Sequence, residues 1–207
     1  MIVFITMRSA DGAAYTEARD GLSHDWCRWC DAAGIVPVPV PNALETPEAL
    51  LDAVPGRGLL LTGGDDLGDA PRDRTESRLL AAALARRLPV FGVCRGLQVI
   101  ATAFGAPLCR AAAAGHVATA HPVEVCDDLS GALPLGRFSV NSFHNDAVRA
   151  ADLAGGLRAF AVSSEGWAEG LFHPELPLTA VQWHPERDNP GRDLDARLLQ
   201  RWIAQCV

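Results

Sequence analysis

Cys94, at the centre of Gly92-Val-Cys-Arg-Gly96, is the residue whose neighbours best suit it to nucleophilic chemistry. Pro89-Val-Phe-Gly-Val93 reads as a short buried strand, and Leu97, Val99, Ile100, Ala101, Ala103 and Phe104 read as the apolar positions of a following helix. Cys94 falls at the corner between them. Glycines two residues to either side suit a sharp strand-to-helix turn, because a Cβ at either place would crowd the backbone as it doubles back. The start of that helix directs unpaired N–H groups and the positive end of its dipole at the thiol, which favours the reactive thiolate. A buried structural cysteine between two packing glycines would fit the same five residues. A second segment, Leu178-Thr-Ala-Val-Gln-Trp-His-Pro-Glu186, tips the balance. Pro185 disfavours helical backbone at His184, which therefore lies extended at a strand end, and Glu186, two residues on, shares its face. A carboxylate there fixes the tautomer and orientation of the imidazole. Cys94, His184 and Glu186 thus have the types and spacing of nucleophile, base and orienter.

The elements that must position these residues alternate. Ile2 to Thr6 reads as a first strand buried on both faces, and residues 16 to 33 as a helix with a stripe at Leu22, Trp26, Trp29, Cys30 and Ala33, stopped by Gly34. The prolines of Ile35-Val-Pro-Val-Pro-Val-Pro41 suit an edge strand. A helix near 45 to 53, a strand over 58 to 61, an amphipathic helix over 74 to 87 and the corner strand complete a βαβ rhythm. After the helix over 95 to 104 come shorter strand-like pieces at 123–126, 138–140, 157–162 and 170–172. Arg110-Ala-Ala-Ala-Ala-Gly115 reads as loop or short helix, and residues 193 to 205 as a closing amphipathic helix. The expectation is a single α/β domain over residues 1–207: a doubly wound, mostly parallel sheet with flanking helices and a small antiparallel β section.

Composition narrows the function. A formal charge of −7 lacks the basic footprint that binding to nucleic acid or an anionic membrane needs, but leaves room for a small anionic substrate held by a few arginines. The N-terminal apolar run is too short for a signal peptide, no stretch approaches a membrane span, and the six cysteines show no framework spacing. A cytoplasmic protein with free thiols is expected. Cys27-x-x-Cys30, preceded by His24, lacks a second ligand pair at metal spacing and reads as small apolar residues on a packed helix, so no metal is expected.

The remaining polar candidates are weighed against ordinary packing. Gln98, one helical turn past Cys94, is placed to face the same cleft and contact substrate. His116 and His121 flank a loop, where bonds to backbone compete with substrate contact. His173, before Pro174, reads as structural. Thr62-Gly-Gly-Asp-Asp-Leu67 lies at the C-terminal end of its strand, where open α/β sheets bind ligands, although two glycines and two aspartates also make a simple turn.

Together, Gly92-Val-Cys-Arg-Gly-Leu-Gln98, Leu61-Thr-Gly-Gly-Asp65, Asn141-Ser-Phe-His144 and Gln182-Trp-His-Pro-Glu186 resemble the class I glutamine amidotransferase-like superfamily, on its branch of stand-alone γ-glutamyl hydrolases. The resemblance implies a flavodoxin-like fold, an oxyanion hole made by the backbone N–H groups of Gly64 and Arg95, roles at the site rim for Ser142 and His144, and a wall position for Glu169. It also implies a cysteine-dependent hydrolase that releases glutamate from a γ-glutamyl amide through a thioester, without cofactor. The segment Thr6-Met-Arg8 and Tyr15 to Trp26 is similar to the part of the branch that cleaves γ-glutamyl-CDP-amidate. Arg8 and Arg19, with Tyr15 and Trp26, would then hold the leaving group, the guanidinium groups suiting a phosphate bidentately. The alternative is a glutaminase subunit that supplies ammonia to a synthase partner. Whether the chain forms a homodimer or needs that partner is left open.

Overall fold

The structure is a computed structural model and describes residues 1–11, 17–68, 70–110 and 117–206. Tyr15, His116 and the alanines after Arg110 lie outside the described residues. The chain begins with β1 (Ile2–Thr6), an antiparallel hairpin of β2 (Arg8–Asp11) and β3 (Ala18–Gly21), α1 (His24–Ala32) and β4 (Val36–Val40). It continues through α2 (Leu50–Ala53), β5 (Leu59–Leu61), α3 (Ala70–Ala85), β6 (Val90–Val93) and α4 (Arg95–Ala103). The second half adds β7 (Cys109–Arg110), β8 (Val117–Val125), β9 (Gly136–Phe143), β10 (Asp146–Ala147), β11 (Arg158–Ser163), β12 (Ala168–His173), β13 (Leu178–Val181) and α5 (Arg192–Gln205).

One nine-stranded sheet, in the order β4-β1-β5-β6-β13-β12-β11-β8-β9, carries both halves. The pairings from β4 to β13 are parallel, and those from β13 to β9 antiparallel. The fold is therefore α/β with a parallel core, and its antiparallel part is larger than the small section expected: four strands continue the main sheet. The first half of β9 alternates between partly buried and exposed residues, which leaves only isolated apolar positions there to read in the sequence.

Strand alternation sorts the core into two layers. Val3, Ile5, Leu60, Phe91 and Val93 face α1 and α5, where they meet Trp26, Cys30, Leu198 and Trp202. Phe4, Leu59, Leu61 and Val90 face α3 and α4, where they meet Leu79, Leu80, Leu97 and Ile100. Burying a side chain of this size contributes roughly 1.5–3 kcal/mol, so helices on both faces are fixed by apolar area.

The first helix corrects an expectation. It starts at His24, with Ser23 as N-cap accepting from Asp25 N at 3.2 Å, and not near residue 16. Residues 18–21 instead pair with 8–11, so Arg19 lies on a strand opposite Ala10 and does not open the helix.

Two glycines let α4 pack against the sheet. A Cβ on Gly96 would stand 2.3 Å from the Leu61 carbonyl oxygen, and one on Gly92 would stand 2.7 Å from Ile100 Cδ1 and 2.9 Å from Gly96 backbone. Gly96→Ala should therefore destabilise the protein by about 2–3 kcal/mol, the cost of overpacking a close backbone contact, read as a lower urea midpoint at unchanged slope.

Candidate active site

Three adjacent parallel strands, β5, β6 and β13, end together and deliver Gly63-Gly64, Cys94 and His184 to one edge of the sheet. The Cys94 amide continues the ladder by donating to Val181 O at 2.8 Å, and then the backbone turns abruptly. Cys94 has φ 53° and ψ −102°, a sparsely populated conformation that costs of order 1–3 kcal/mol and persists only when its surroundings over-determine it. Its carbonyl already accepts from Leu97 and Gln98 as the N-cap of α4, so the first N–H groups of that helix are directed at the corner.

His184 lies beside it, buried, with Nδ1 2.6 Å from Glu186 Oε1. A Cβ on Gly63 would stand 2.7 Å from His184 Cε1, so a glycine is what lets the imidazole lie against this loop. Gln182 donates from Nε2 to Cys94 Sγ at 3.5 Å. Burial pushes the imidazole pKa down, but Cys94 and Glu186 more than offset it and raise it to about 9. The arrangement favours an imidazolium between the Cys94 sulfur and the Glu186 carboxylate, in a site shielded from water.

Asn141 holds the histidine from behind, a role the sequence did not reveal. Its Oδ1 accepts from His184 N at 2.8 Å, and its Nδ2 donates to His184 O at 2.8 Å and Asp188 O at 3.0 Å. The Asn141 amide donates in turn to Asn189 Oδ1, and Asn189 and Trp183 both donate to the Asp195 carboxylate in the first turn of α5. Phe143 adds an edge-on ring contact to His184 at 5.5 Å, with the Arg187 guanidinium 4.4 Å above the Phe143 ring. The only sequence signal for Asn141 was its place at the head of Asn141-Ser-Phe-His144.

The glycine loop has its own clamp. Arg72, fully buried in α3, donates to Thr62 O, Thr62 Oγ1 and Gly63 O at 2.9–3.0 Å and pairs with Glu76 at 2.9 Å. In a trans peptide C=O and N–H point oppositely, so holding Gly63 O toward Arg72 turns the Gly64 N–H away from it. Gly64 sits at φ +134°, where any Cβ would meet Arg72 at 2.6 Å. Glu76 also pairs with Arg95, which reaches Asp73 as well, so one buried ionic group ties the glycine loop to the first residue of α4.

Other candidate residues fall in three places. Gln98 Nε2 and His144 Nδ1 meet at Asp146 O, at 2.8 and 3.1 Å, which brings α4 to the end of β9; Ser142 is buried on that strand. Arg8 and Trp26 line a cleft with Leu22, Gly63, Gly64 and Glu186, and Arg8 pairs with Asp65 at 2.5 Å. Arg19 lines a separate depression with Asn42, Pro71 and Arg74 and pairs with Glu17, so the structure does not bring it to Cys94. Cys30 is buried and its thiol is pushed up to about 11, by burial first and then by Cys27, which fits packing. His173 accepts from the Glu175 and Leu176 amides in a turn.

The sheet, with a strand-helix corner bearing a cysteine and an adjacent His-Glu pair at one edge, has the class I glutamine amidotransferase-like fold. The chain belongs to the Peptidase C26 family, whose profile matches residues 2–186, and that family acts on γ-glutamyl amide bonds. It is 31% identical to a γ-glutamyl-γ-aminobutyrate hydrolase of Escherichia coli O157:H7 over 84% of this chain and 82% of that one. It is 25% identical to a γ-glutamyl-CDP-amidate hydrolase of Campylobacter jejuni over 99% of this chain and 98% of that one. The fold matches a crystallised glutamine amidotransferase of Thermotoga maritima, with TM-score 0.67 and 20% identity over 98% of this chain and 80% of that one. It also matches a Thermoplasma acidophilum protein crystallised as a candidate component of GMP synthase, with TM-score 0.76 and 22% identity over 100% of this chain and 94% of that one.

Asn141→Ala should cost about 2–3 kcal/mol of stability, since it leaves buried His184 backbone groups unpaired. It should also lower kcat more than it raises KM, because the histidine loses its position while the substrate walls remain. Unfolding midpoints and steady-state kinetics check both.

Proposed function

We propose that the protein hydrolyses a γ-glutamyl amide by way of a thioester on Cys94, with His184 as acid and base and Glu186 as its orienter. The observation that supports this most is the buried His184, bonded to Glu186 and held charged by Cys94 beside it. Cys94 Sγ adds to the γ-carbonyl carbon, and the oxygen takes the charge between the N–H groups of Gly64 and Arg95. His184 gives its proton to the leaving nitrogen as the C–N bond breaks. Water then loses a proton to His184 as it adds to the thioester, and collapse returns the thiol and frees glutamate. Gln98, Ser142 and His144 line the glutamyl side, and Arg8 with Trp26 lies on the side of the departing amine. Because Arg8 suits an anionic amine, a γ-glutamyl phosphoramidate such as γ-glutamyl-CDP-amidate is the first candidate substrate. The reading as a glutaminase that feeds a synthase draws on the fold shared with the GMP synthase candidate.

Glutamate release from γ-glutamyl-CDP-amidate, γ-glutamyl-γ-aminobutyrate and glutamine at equal concentration separates these readings. The phosphoramidate should be fastest, and Arg8→Ala should slow it more than the other two. If glutamine is fastest, the glutaminase reading replaces the hydrolase one.

Cys94→Ala and His184→Asn should each lower kcat by roughly 10³-fold or more, with no further loss in the double variant, because the two act as a unit. The His184 pKa is raised from 6.5 to about 9, so the proton-donating form is present at neutral pH and is lost as pH rises through about 9. The kcat/KM profile should fall on that alkaline side. Glu186→Gln removes one of the groups that raise the pKa, so its alkaline limb should move to lower pH.

A further inference from the structure

The antiparallel half carries a group of side chains that make no bond and move no proton in the hydrolytic steps, although one of them, His144, also lines the proposed glutamyl side. His121 on β8, His144 just after β9 and Glu169 on β12 each place a potential ligand atom so that all three lie within 4.8 Å of one another. Glu169 is fully buried, and neither of its carboxylate oxygens has a hydrogen bond. The two Nε2 atoms stand 3.6 and 4.0 Å from Glu169 Oε1, beyond hydrogen-bond range. A buried carboxyl group without a hydrogen bond is costly, and this one is aimed at two imidazoles.

Both rings are turned the same way. His121 Nδ1 lies 3.3 Å from Pro122 O, and His144 Nδ1 lies 3.1 Å from Asp146 O. A carbonyl only accepts, so each Nδ1 carries a proton, and in the neutral ring each Nε2 then presents its lone pair on the side of Glu169. Carbonyl-anchored imidazoles of this kind are how ligating histidines are held and their tautomers fixed. Two nitrogen lone pairs and a carboxylate oxygen therefore converge, and a cation is what such a set lacks.

We infer that His121, His144 and Glu169 form a binding site for a divalent transition-metal cation of the zinc class, held through the two Nε2 atoms and a Glu169 oxygen. Two nitrogen donors disfavour magnesium and calcium, which take oxygen ligands. With metal–ligand bonds of about 2.0–2.2 Å, neighbouring tetrahedral ligands lie about 3.3–3.5 Å apart. The two nitrogen-to-oxygen separations of 3.6 and 4.0 Å lie within about half an ångström of that, and all three ligand atoms lie within 4.8 Å of one another, so the side chains must draw together to bind. Three protein ligands leave a fourth position open to water or another oxygen donor. The site adjoins the catalytic candidates, because the Glu169 carbonyl accepts from Gln182 N at 2.8 Å and the Gln182 side chain reaches Cys94. The inference does not depend on the hydrolase reading.

Cobalt(II) titration of the full-length Cys94→Ala protein tests the site without the competing Cys94 thiol. One equivalent should bind with visible d–d bands and no sulfur-to-cobalt charge transfer, and zinc should displace it. In the same background Glu169→Gln and His121→Gln should each weaken cobalt binding at least tenfold. No saturable binding, binding only through thiolate, or unchanged affinity in Glu169→Gln would overturn the site. Should the Glu169 variant fail to fold, zinc-edge anomalous diffraction from zinc-soaked Cys94→Ala crystals decides. A peak bonded to both Nε2 atoms supports the site, and a peak elsewhere or none refutes it.

Discussion

Everything at the proposed site hangs on the backbone of Cys94. A non-glycine residue at φ 53° and ψ −102° has no local reason to stay there, and the surroundings must hold it. They do so from both sides. Upstream, the Cys94 amide is fixed to Val181, and downstream, α4 is pressed so close to β5 that Gly96 has no room for a single carbon. The stabilisation comes from the apolar layers, where Leu97 and Ile100 of α4 pack with Leu59 and Leu61 of the sheet. A few kcal/mol of local strain is small beside that burial, which is why the corner can be sharp without being loose.

The second ingredient is charge kept away from water. Arg72, Glu76 and Arg95 are buried together, and they connect the carbonyls of the glycine loop to the start of α4. Replacing Glu76 would remove the carboxylate that both buried arginines share, a far larger penalty than losing a surface pair. The pairs at the surface, such as Arg28 with Asp25, carry no such obligation. Buried charge here therefore serves geometry: it sets the orientation of the Gly63–Gly64 peptide and holds the residue that follows Cys94.

The parts legible in the sequence were those written locally. A corner flanked by glycines, a His-Pro-Glu run and the alternation of strands with helices depend on residues a few positions apart, and short-range sterics decide them. The start of α1 was misjudged because Leu22 continues the apolar spacing of the helix, while the hairpin that claims residues 18–21 is decided by pairing with residues 8–11. Asn141 was legible only as part of a motif, because its partner His184 is 43 residues away and polar contacts at that range leave no periodic trace. Arg72 was missed for the same reason: it falls just before the helix read over 74 to 87, whereas α3 starts at Ala70, and nothing nearby announces that it is fully buried.

The prolines of β4 have a consequence for the outer rim of the sheet. In a parallel strand the N–H groups alternate between the two sides, and Val36 donates to Met1 O at 2.7 Å, which turns the N–H groups of Val36, Val38 and Val40 inward to β1. The outward positions are Pro37 and Pro39, which have no N–H to offer. The free side of this strand thus has acceptors but no donors at its centre, and an extended segment from another chain finds only half of the ladder it would need. The same two residues that end the sheet also guard it against growth by strand addition, the route by which exposed β edges recruit neighbours into aggregates.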